Sequence, residues 1–397
     1  MAATTHAMPL TNRINRIEVS ATMAVVSEAA RLRAQGVDLV DFGAGEPHFA
    51  TPQHVKEAAI AAIKADFSKY TPVPGTLELR EAIVARHARD FGSDYNRDET
   101  IAATGGKQAL FNAFQVLVEH GDEVILPVPF WVSFKDIIQY CGGVPVFVRT
   151  DEEQGFALTA EMVERALTPR TKVILLNSPS NPSGAVINPE DMTAIMRMAA
   201  RRNLFVISDE CYSYLEYTSK RFSLGSLTSE KDRLMIIGSL SKTYAMTGWR
   251  LGFALGPKAI IAAMTKLQGQ STSNPTSMVQ KAAIAALNGP QECVEDMRQE
   301  YIRLRDHVVA GLRSIPGVKC VLPQGAFYAY PNISAFLRNG GAKSASDIAG
   351  RLLREAGVVT VPGEAFGTEE HIRVSYPTSM ANLDKGLERM KKFFAAL

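Results

Sequence analysis

Three apolar runs in the middle of the chain each stop at a polar group able to do chemistry. After "VILLN" comes "SPSNPSG", which puts the amide of Asn181 in a proline-punctuated loop. After "LFVIS" comes "DECY", with the carboxylate of Asp209 and the phenol of Tyr212, and after "MIIGS" comes "LSK", with the amine of Lys242. Lys242 sits among Ser, Thr, Gly and Ala in "GSLSKTYAMTGWRLGFALG" (238–256), and Arg250 follows eight residues on. Each residue alone has a structural reading, since a strand-end Asp caps helices, an Asn between prolines makes turns, and a Lys is commonly a solvated charge. Together they point to one rim that gathers an amide, a carboxylate, a phenol and an amine. Asp209 follows five mostly apolar residues, and burying a carboxylate there is costly unless a positive group meets it.

These groups converge only if the runs are neighbouring strands. Short Val/Ile/Leu-rich segments recur at 123–127 ("EVILP"), 144–148 ("VPVFV"), 172–177 ("KVILLN"), 204–209 ("LFVISD"), 234–239 ("LMIIGS") and 251–256 ("LGFALG"). This is the pattern of strands buried on both faces. Amphipathic segments separate them. In "KQALFNAFQVLVEHG" (107–121), Leu110, Ala113, Phe114, Leu117 and Val118 share a helical face, and Gly121 offers a C-cap. The alternation predicts an α/β fold with a largely parallel sheet covered by helices, whose ligands bind beyond the carboxyl ends of the strands. The C-terminal part reads as a smaller α+β domain, with a helix at 296–315, strand candidates "GAFYAYP" (325–331), "GVVTVPG" (357–363) and "HIRVSYP" (371–377), and a final helix. The N-terminal "VDLVDFGAGEPHFATP" adds an isolated strand and a turn that join it. The expected division is 1–48 as an arm and part of the small domain, 49–290 as the large domain and 291–397 as the small domain, with a hinge near 290–330 that closes on substrate.

Composition narrows the function classes. The 397 residues are 46% apolar, which suits a chain that builds large cores rather than a disordered or disulfide-stapled one. Lys plus Arg number 43 against 41 Asp plus Glu, with no basic block, which argues against a nucleic-acid partner. Cys141, Cys211, Cys293 and Cys320 lie far apart with no C-x-x-C pair, as expected of reduced thiols in a cytoplasmic protein. The seven histidines have no ligand spacing, so no metal is expected. No apolar signal region stands at the N-terminus, and no run approaches the roughly 18 to 20 apolar residues of a membrane span. "GAGEP" (43–47) begins like a dinucleotide fingerprint, but it lacks the third glycine and puts Pro47 where the phosphate-binding helix should start.

The segments "TGGKQALFNAF" (104–114), "PFWVSF" (129–134), "NSPSNPSG" (177–184), "SDECYSYL" (208–215), "SLSKTYAMTGWRLG" (239–252) and "RVSY" (373–376) extend this reading. In order and spacing, and over essentially the whole chain, they resemble the class I aminotransferases, pyridoxal-phosphate enzymes of fold type I. Within that family the chain is most similar to the bacterial aspartate and prephenate branch. The resemblance implies a seven-stranded, mainly parallel sheet in the large domain and pyridoxal 5'-phosphate as a Schiff base on Lys242. It implies that Ser239, Ser241 and Arg250 hold the cofactor phosphate, with Gly105, Gly106 and Lys107 at a helix start adding an anion site. Asp209 would meet the pyridinium N–H and so keep the ring an electron sink. Asn181 and Tyr212 would bind the ring oxygen, and Trp131 would stack on the ring. Lys242, once displaced, would move the substrate proton, which requires its pKa to fall from the usual ~10.4 toward neutrality. Arg373 matches the clamp for the substrate α-carboxylate, with Gly45, Trp131 and Asn181 as further substrate contacts. Tyr70 matches a residue that reaches the phosphate in the neighbouring subunit, which implies a homodimer with shared active sites, and "STSNP" (271–275) is a second candidate for that interface.

The resemblance also bears on substrate. A different branch of aspartate enzymes carries an arginine four residues before the Ser of "SNP", where this chain has Gly269. Lys107, with the hydroxyls of Ser20 and Thr22, matches the alternative that binds a distal carboxylate. The implied substrates are an amino acid, foremost aspartate, and a 2-oxo acid, foremost 2-oxoglutarate. A prephenate, aromatic or broad-specificity aminotransferase is the alternative, and a β-lyase or decarboxylase on the same scaffold is a further one. The effector-sensing half of a transcription regulator is disfavoured, because no basic recognition helix precedes the large domain.

Overall fold

The computed structural model describes residues 10–18, 21–218, 221–338 and 342–397. Its strands, in chain order, are β1 (Val40–Asp41), β2 (Thr100–Ala103), β3 (Glu123–Val128), β4 (Val144–Arg149), β5 (Thr171–Asn177), β6 (Phe205–Asp209), β7 (Leu234–Ser239), β8 (Gly252–Leu255), β9 (Tyr328–Ala329), β10 (Val358–Val359), β11 (Val361–Pro362) and β12 (Ile372–Ser375). Seven form one sheet in the order β2-β8-β7-β6-β5-β3-β4. Strand β8 runs antiparallel to both neighbours, and every other pairing is parallel. The expected mainly parallel α/β sheet is therefore present.

Alternation along the strands feeds two cores, one on each face of the sheet. Ile125, Ile174, Val206 and Ile236 point to one, against helices that include Gln53–Lys64 and Ser277–Asn288. Their neighbours Val124, Val173, Ile207 and Ile237 point to the other, against Gly106–Leu117 and Lys258–Gly269.

Three local expectations change. Strand β2 was absent from the apolar runs because "TIAA" holds two alanines and a single large apolar residue, yet all four positions are buried. "VPVFV" is not buried on both faces. It forms the sheet edge, with Val144 47% and Phe147 46% exposed. Pro145 lies inside this strand, and proline cannot donate to a ladder on both sides, which confines it to an edge. The helix read as reaching Gly121 ends at Leu117. Val118 is extended and buried, the Glu119 amide donates to the Asp122 carboxylate at 2.8 Å, and Gly121 turns the chain into β3 at φ +90°.

A third core joins the two ends of the chain. Val40 and Phe42 pack with Phe327, Tyr328, Val374 and Leu383, and β1 pairs in parallel with β10. "GVVTVPG" is split around Thr360, because β10 pairs with β1 while β11 pairs antiparallel with β12, which also holds β9. Helix Glu292–Arg313 passes between cores, with Val294 in the first and Met297 onward in the third.

Candidate active site

The carboxyl ends of β5, β6 and β7 stand side by side, with Asn177 in register with Asp209 and Asp209 with Ile237. Beyond them opens a cavity of about 320 Å³. Asn177 fastens the loop after β5 to the end of β6. Its amide nitrogen donates to the Asp209 carbonyl at 3.1 Å, and its oxygen accepts the Asn181 N–H at 3.0 Å. Strand β7 ends at Ser239, whose hydroxyl accepts the Ser241 N–H at 3.1 Å and starts the short helix Leu240–Thr243 that carries Lys242. The same turn sets Ser239, Ser241 and Lys242 on one wall.

Charge in this cavity is unbalanced residue by residue. Asp209 is buried, and burial pushes its carboxyl up to about 7 against the help of the Cys211 N–H, which donates to it at 3.1 Å. Among the described residues no Lys, Arg or His forms an ion pair with it. Burial also lowers the pKa of Lys242, with the cations Arg373 and Arg250 adding to the effect while Cys211 and Glu46 oppose it. Its Nζ donates to the Gly45 carbonyl. The guanidinium of Arg373, a residue 2% exposed, donates through Nη1 to Asn181 Oδ1 at 3.1 Å and through Nη2 to the Gly43 carbonyl at 2.8 Å. Its Nε is buried without a partner, and no carboxylate pairs with it among the described residues. It lies 4.6 Å above the Tyr328 ring, whose hydroxyl is 2.7 Å from that of Tyr212. Burial pushes both phenols up.

An anion cradle occupies another part of the wall. Gly105, at φ +87°, is the N-cap of Gly106–Leu117, and the first turn of that helix has no acidic residue. A Cβ at Gly105 would lie 2.5 Å from Arg250 Nη2, and one at Gly252 would lie 2.2 Å from the Gly106 nitrogen. The glycines thus let the helix N-terminus sit against β8 and beside the Arg250 guanidinium. Helix-start amides, a guanidinium fork and two serine hydroxyls are a donor set that suits a dianion. Arg250 itself has φ +56°, a left-handed conformation costly for a residue with a Cβ. With Asp209, the set suits a ligand that is anionic at one end and carries a protonated ring nitrogen.

The sequence-expected residues gather here with four exceptions. Gly105 stands one residue behind the wall and acts through its missing side chain. Tyr70 is 92% exposed and does not line the cavity of its own chain. Ser20 and the side chain of Thr22 lie outside what the structure describes. Lys107 lies on the wall with its ammonium 4.8 Å above the Trp131 ring, and burial, with Arg250 nearby, lowers its pKa while Asp136 opposes this. In "STSNP", the Thr272 hydroxyl accepts from Gln108 Nε2 at 2.6 Å, and none of the five residues lines the cavity. Sequence reasoning missed Tyr328, Asn177, Cys211 and Phe134, which also line it. "GAFYAYP" signalled a strand, and nothing in it separates Tyr328 from Tyr330.

The family profile described as aminotransferase class I and II matches residues 37–390. Over 391 residues the chain is 44% identical to an aspartate aminotransferase of Geobacillus stearothermophilus, covering 98% of this chain and 100% of the other. It is also 44% identical over 386 residues to an aspartate/prephenate aminotransferase of Thermus thermophilus, covering 96% and 98%. Among solved structures, aspartate aminotransferase from Thermus thermophilus with maleate superposes with a TM-score of 0.93 at 44% identity, over 97% of this chain and 100% of that one. The aspartate aminotransferase from Rhizobium meliloti superposes with a TM-score of 0.94 at 41% identity, over 98% and 100%. Agreement of this extent, in sequence and in backbone path alike, makes the chain a member of the class I and II aminotransferases and an aminotransferase enzyme.

Proposed function

We propose that the protein moves the amino group of aspartate to 2-oxoglutarate, with pyridoxal 5'-phosphate held on Lys242. The observation that carries this reading is a pair of opposite charges on one cavity that find no ionic partner among the described residues: buried Asp209 without a cation and buried Arg373 without a carboxylate, with Lys242 opening on the same space. Arg250, Ser239, Ser241 and the amides of Gly106 and Lys107 would hold the cofactor phosphate, whereas the Gly105 N–H already donates to the Ala103 carbonyl at 2.7 Å. Asp209 would hold the ring nitrogen, Asn181 and Tyr212 the ring oxygen, and Trp131 a ring face. When bound, the cofactor supplies an electron sink for charge released at the substrate Cα.

The chain's own groups supply the rest. Arg373 presents a planar fork to the substrate α-carboxylate, pre-oriented by its bonds to Asn181 and to the Gly43 carbonyl. Lys242 Nζ, once the substrate amine has displaced it, would take the Cα proton, and the burial that lowers its pKa favours the neutral amine this requires. Asp209, costly to ionise alone, becomes a carboxylate when a protonated ring nitrogen meets it. Lys107 is the cation for a distal carboxylate, with Ser20 and Thr22 as its companions.

Tyr70, exposed on its own chain, serves the phosphate site of a second copy, so the working form is a homodimer. Residues 49–290 hold the cofactor, and 1–48 with 291–397 close over it, in keeping with their separate cores. The reaction belongs in the cytoplasm, in keeping with four free cysteines, and no described helix is long and apolar enough to cross a membrane. Prephenate is the second reading, favoured by relatives named aspartate/prephenate aminotransferases and by the aromatic wall of Trp131, Phe134 and Tyr328.

The test is a donor panel with 2-oxoglutarate (aspartate, tyrosine, alanine and kynurenine), run beside prephenate with aspartate or glutamate as donor. Aspartate should lead. Lys107→Ala should raise KM for dicarboxylates roughly tenfold or more, the loss of one charged hydrogen-bond donor, and leave that for alanine nearly unchanged. Equal effects on both substrates would overturn the assignment.

A further inference from the structure

Two glutamines are completely buried where an apolar side chain of similar volume would pack without desolvating an amide. Gln268 lies on helix Lys258–Gly269 and Gln280 on helix Ser277–Asn288. Both direct their amides at one loop, residues 69–76. Gln280 Oε1 accepts the Thr76 N–H at 2.8 Å, and its Nε2 donates to the Thr71 hydroxyl at 2.9 Å and to the Pro275 carbonyl at 2.8 Å. Gln268 Nε2 donates to the carbonyls of Val73 at 2.8 Å and Ala102 at 2.9 Å. Ser277 completes the set, its hydroxyl donating to the Lys69 carbonyl at 2.7 Å. The residues on both sides of Tyr70 are therefore pinned, while its own side chain is 92% exposed and has no partner among the described residues. Gln268 also touches the helix that begins at Gly106, since its Oε1 accepts from Asn112 Nδ2 at 3.3 Å, six residues beyond that helix's start.

We propose that Gln280 and Gln268 are positioning residues for the active site of a second copy of this chain: they hold loop 69–76 rigid so that Tyr70 is presented, already oriented, to the other subunit's phosphate site. The inference rests on the reading that Tyr70 serves a neighbouring subunit. Holding a loop in its bound form removes an ordering cost from the contact it makes. The bonds stay within one chain, and the benefit falls in the other.

That asymmetry is the test. Two heterodimers are made from differently tagged subunits, each with a single live lysine because one subunit carries Lys242→Ala. In the first, Gln280→Met is on the Lys242→Ala subunit, in trans to the live site; in the second it is on the subunit that keeps Lys242. Borohydride trapping of added pyridoxal phosphate on Lys242, read by mass spectrometry, reports only the live site. Gln280→Met in trans should weaken cofactor retention there roughly tenfold, the scale of one lost hydrogen-bonded contact. In cis it should leave retention within about twofold. Equal weakening in both would show that the glutamine only supports its own chain, and would overturn the proposal.

Tyr70→Phe is placed in the same two positions. Silence of Tyr70→Phe in trans removes the reading on which the proposal rests. Loss with Tyr70→Phe in trans but not with Gln280→Met overturns the clamp alone. The double variant in trans should be no worse than the larger single, because both act through one contact. If Gln280→Met does not fold, Ser277→Ala removes one bond of the set and should give the same trans pattern at smaller size, and its silence in trans would count against the clamp.

Discussion

Asp209 is the residue whose energetics depend most on what fills the cavity. Its folded carboxyl titrates at about 7 against an ordinary 3.8, so between those values the folded apoprotein keeps a proton that the unfolded chain has released. Apoprotein stability should therefore fall as pH rises through that window, by roughly 4 kcal/mol at most from this group. Asp209→Asn should flatten this slope, making the apo variant the more stable of the two at pH 8 and little different near pH 4. Denaturant titrations of both apoproteins at several pH values would check this, and parallel slopes would mean that Asp209 is not the group responsible. Arg373 offers a second prediction at this scale. Arg373→Lys keeps the charge but loses the fork, and should lower kcat/KM roughly 10- to 100-fold, chiefly through KM, with the cofactor's visible band retained. Asp209 was legible in the sequence because it stands directly after an apolar run, whereas Arg373, inside "HIRVSY", was legible only through the motif resemblance. Tyr328 was not, because Tyr328 and Tyr330 in "FYAY" are two residues apart and share the same alternation, so pattern treats them alike, and only packing, which sets Tyr328 against Tyr212 and Tyr330 against His371, tells them apart.

At the scale of the element, the helix Gly106–Leu117 and its glycine cap do the positioning. Gly105 has φ +87° and ψ 160°, a region open essentially to glycine alone, and its Cβ would strike the Arg250 guanidinium. Gly105→Ala should cost about 1–3 kcal/mol of stability from the backbone and also lower cofactor affinity. Gly121→Ala makes the control: its φ is +90°, yet nothing lies within 4 Å of the added carbon. It should show the stability loss and leave cofactor affinity unchanged, as paired denaturation and cofactor titrations would reveal. Elements were read well where apolar side chains were dense. They were misread where packing overrides pattern: β2, whose alanines carry little signal, and the edge strand β4, whose apolar run says nothing about what lies on either side.

At the scale of the whole molecule, the cores must hold a fixed relation for Arg373 to face Asn181. One tie is Glu152, just after β4, whose carboxylate accepts from Asn332 Nδ2 at 2.8 Å and meets His371 Nε2 at 2.7 Å. His371 stands two residues before Arg373. Glu152→Ala should cost roughly 2 kcal/mol of stability, the scale of hydrogen bonds to a charged group. Because it loosens the strand that carries Arg373, it should raise substrate KM more than it changes cofactor affinity. Steady-state kinetics beside a cofactor titration separates the two.

The sequence was sufficient for the parallel α/β class, for the polar groups at the strand ends and, through motif order, for the family. Those properties depend on local pattern: apolar runs bury, and the residue after a run lies at the sheet's rim. The tertiary structure decided which strand lies at the edge, how β1 finds β10, which tyrosine reaches Arg373, and that neither Asp209 nor Arg373 has an oppositely charged partner among the described residues. These depend on contacts between residues far apart in the chain, whose geometry is set only when three cores pack at once, and no local pattern encodes it.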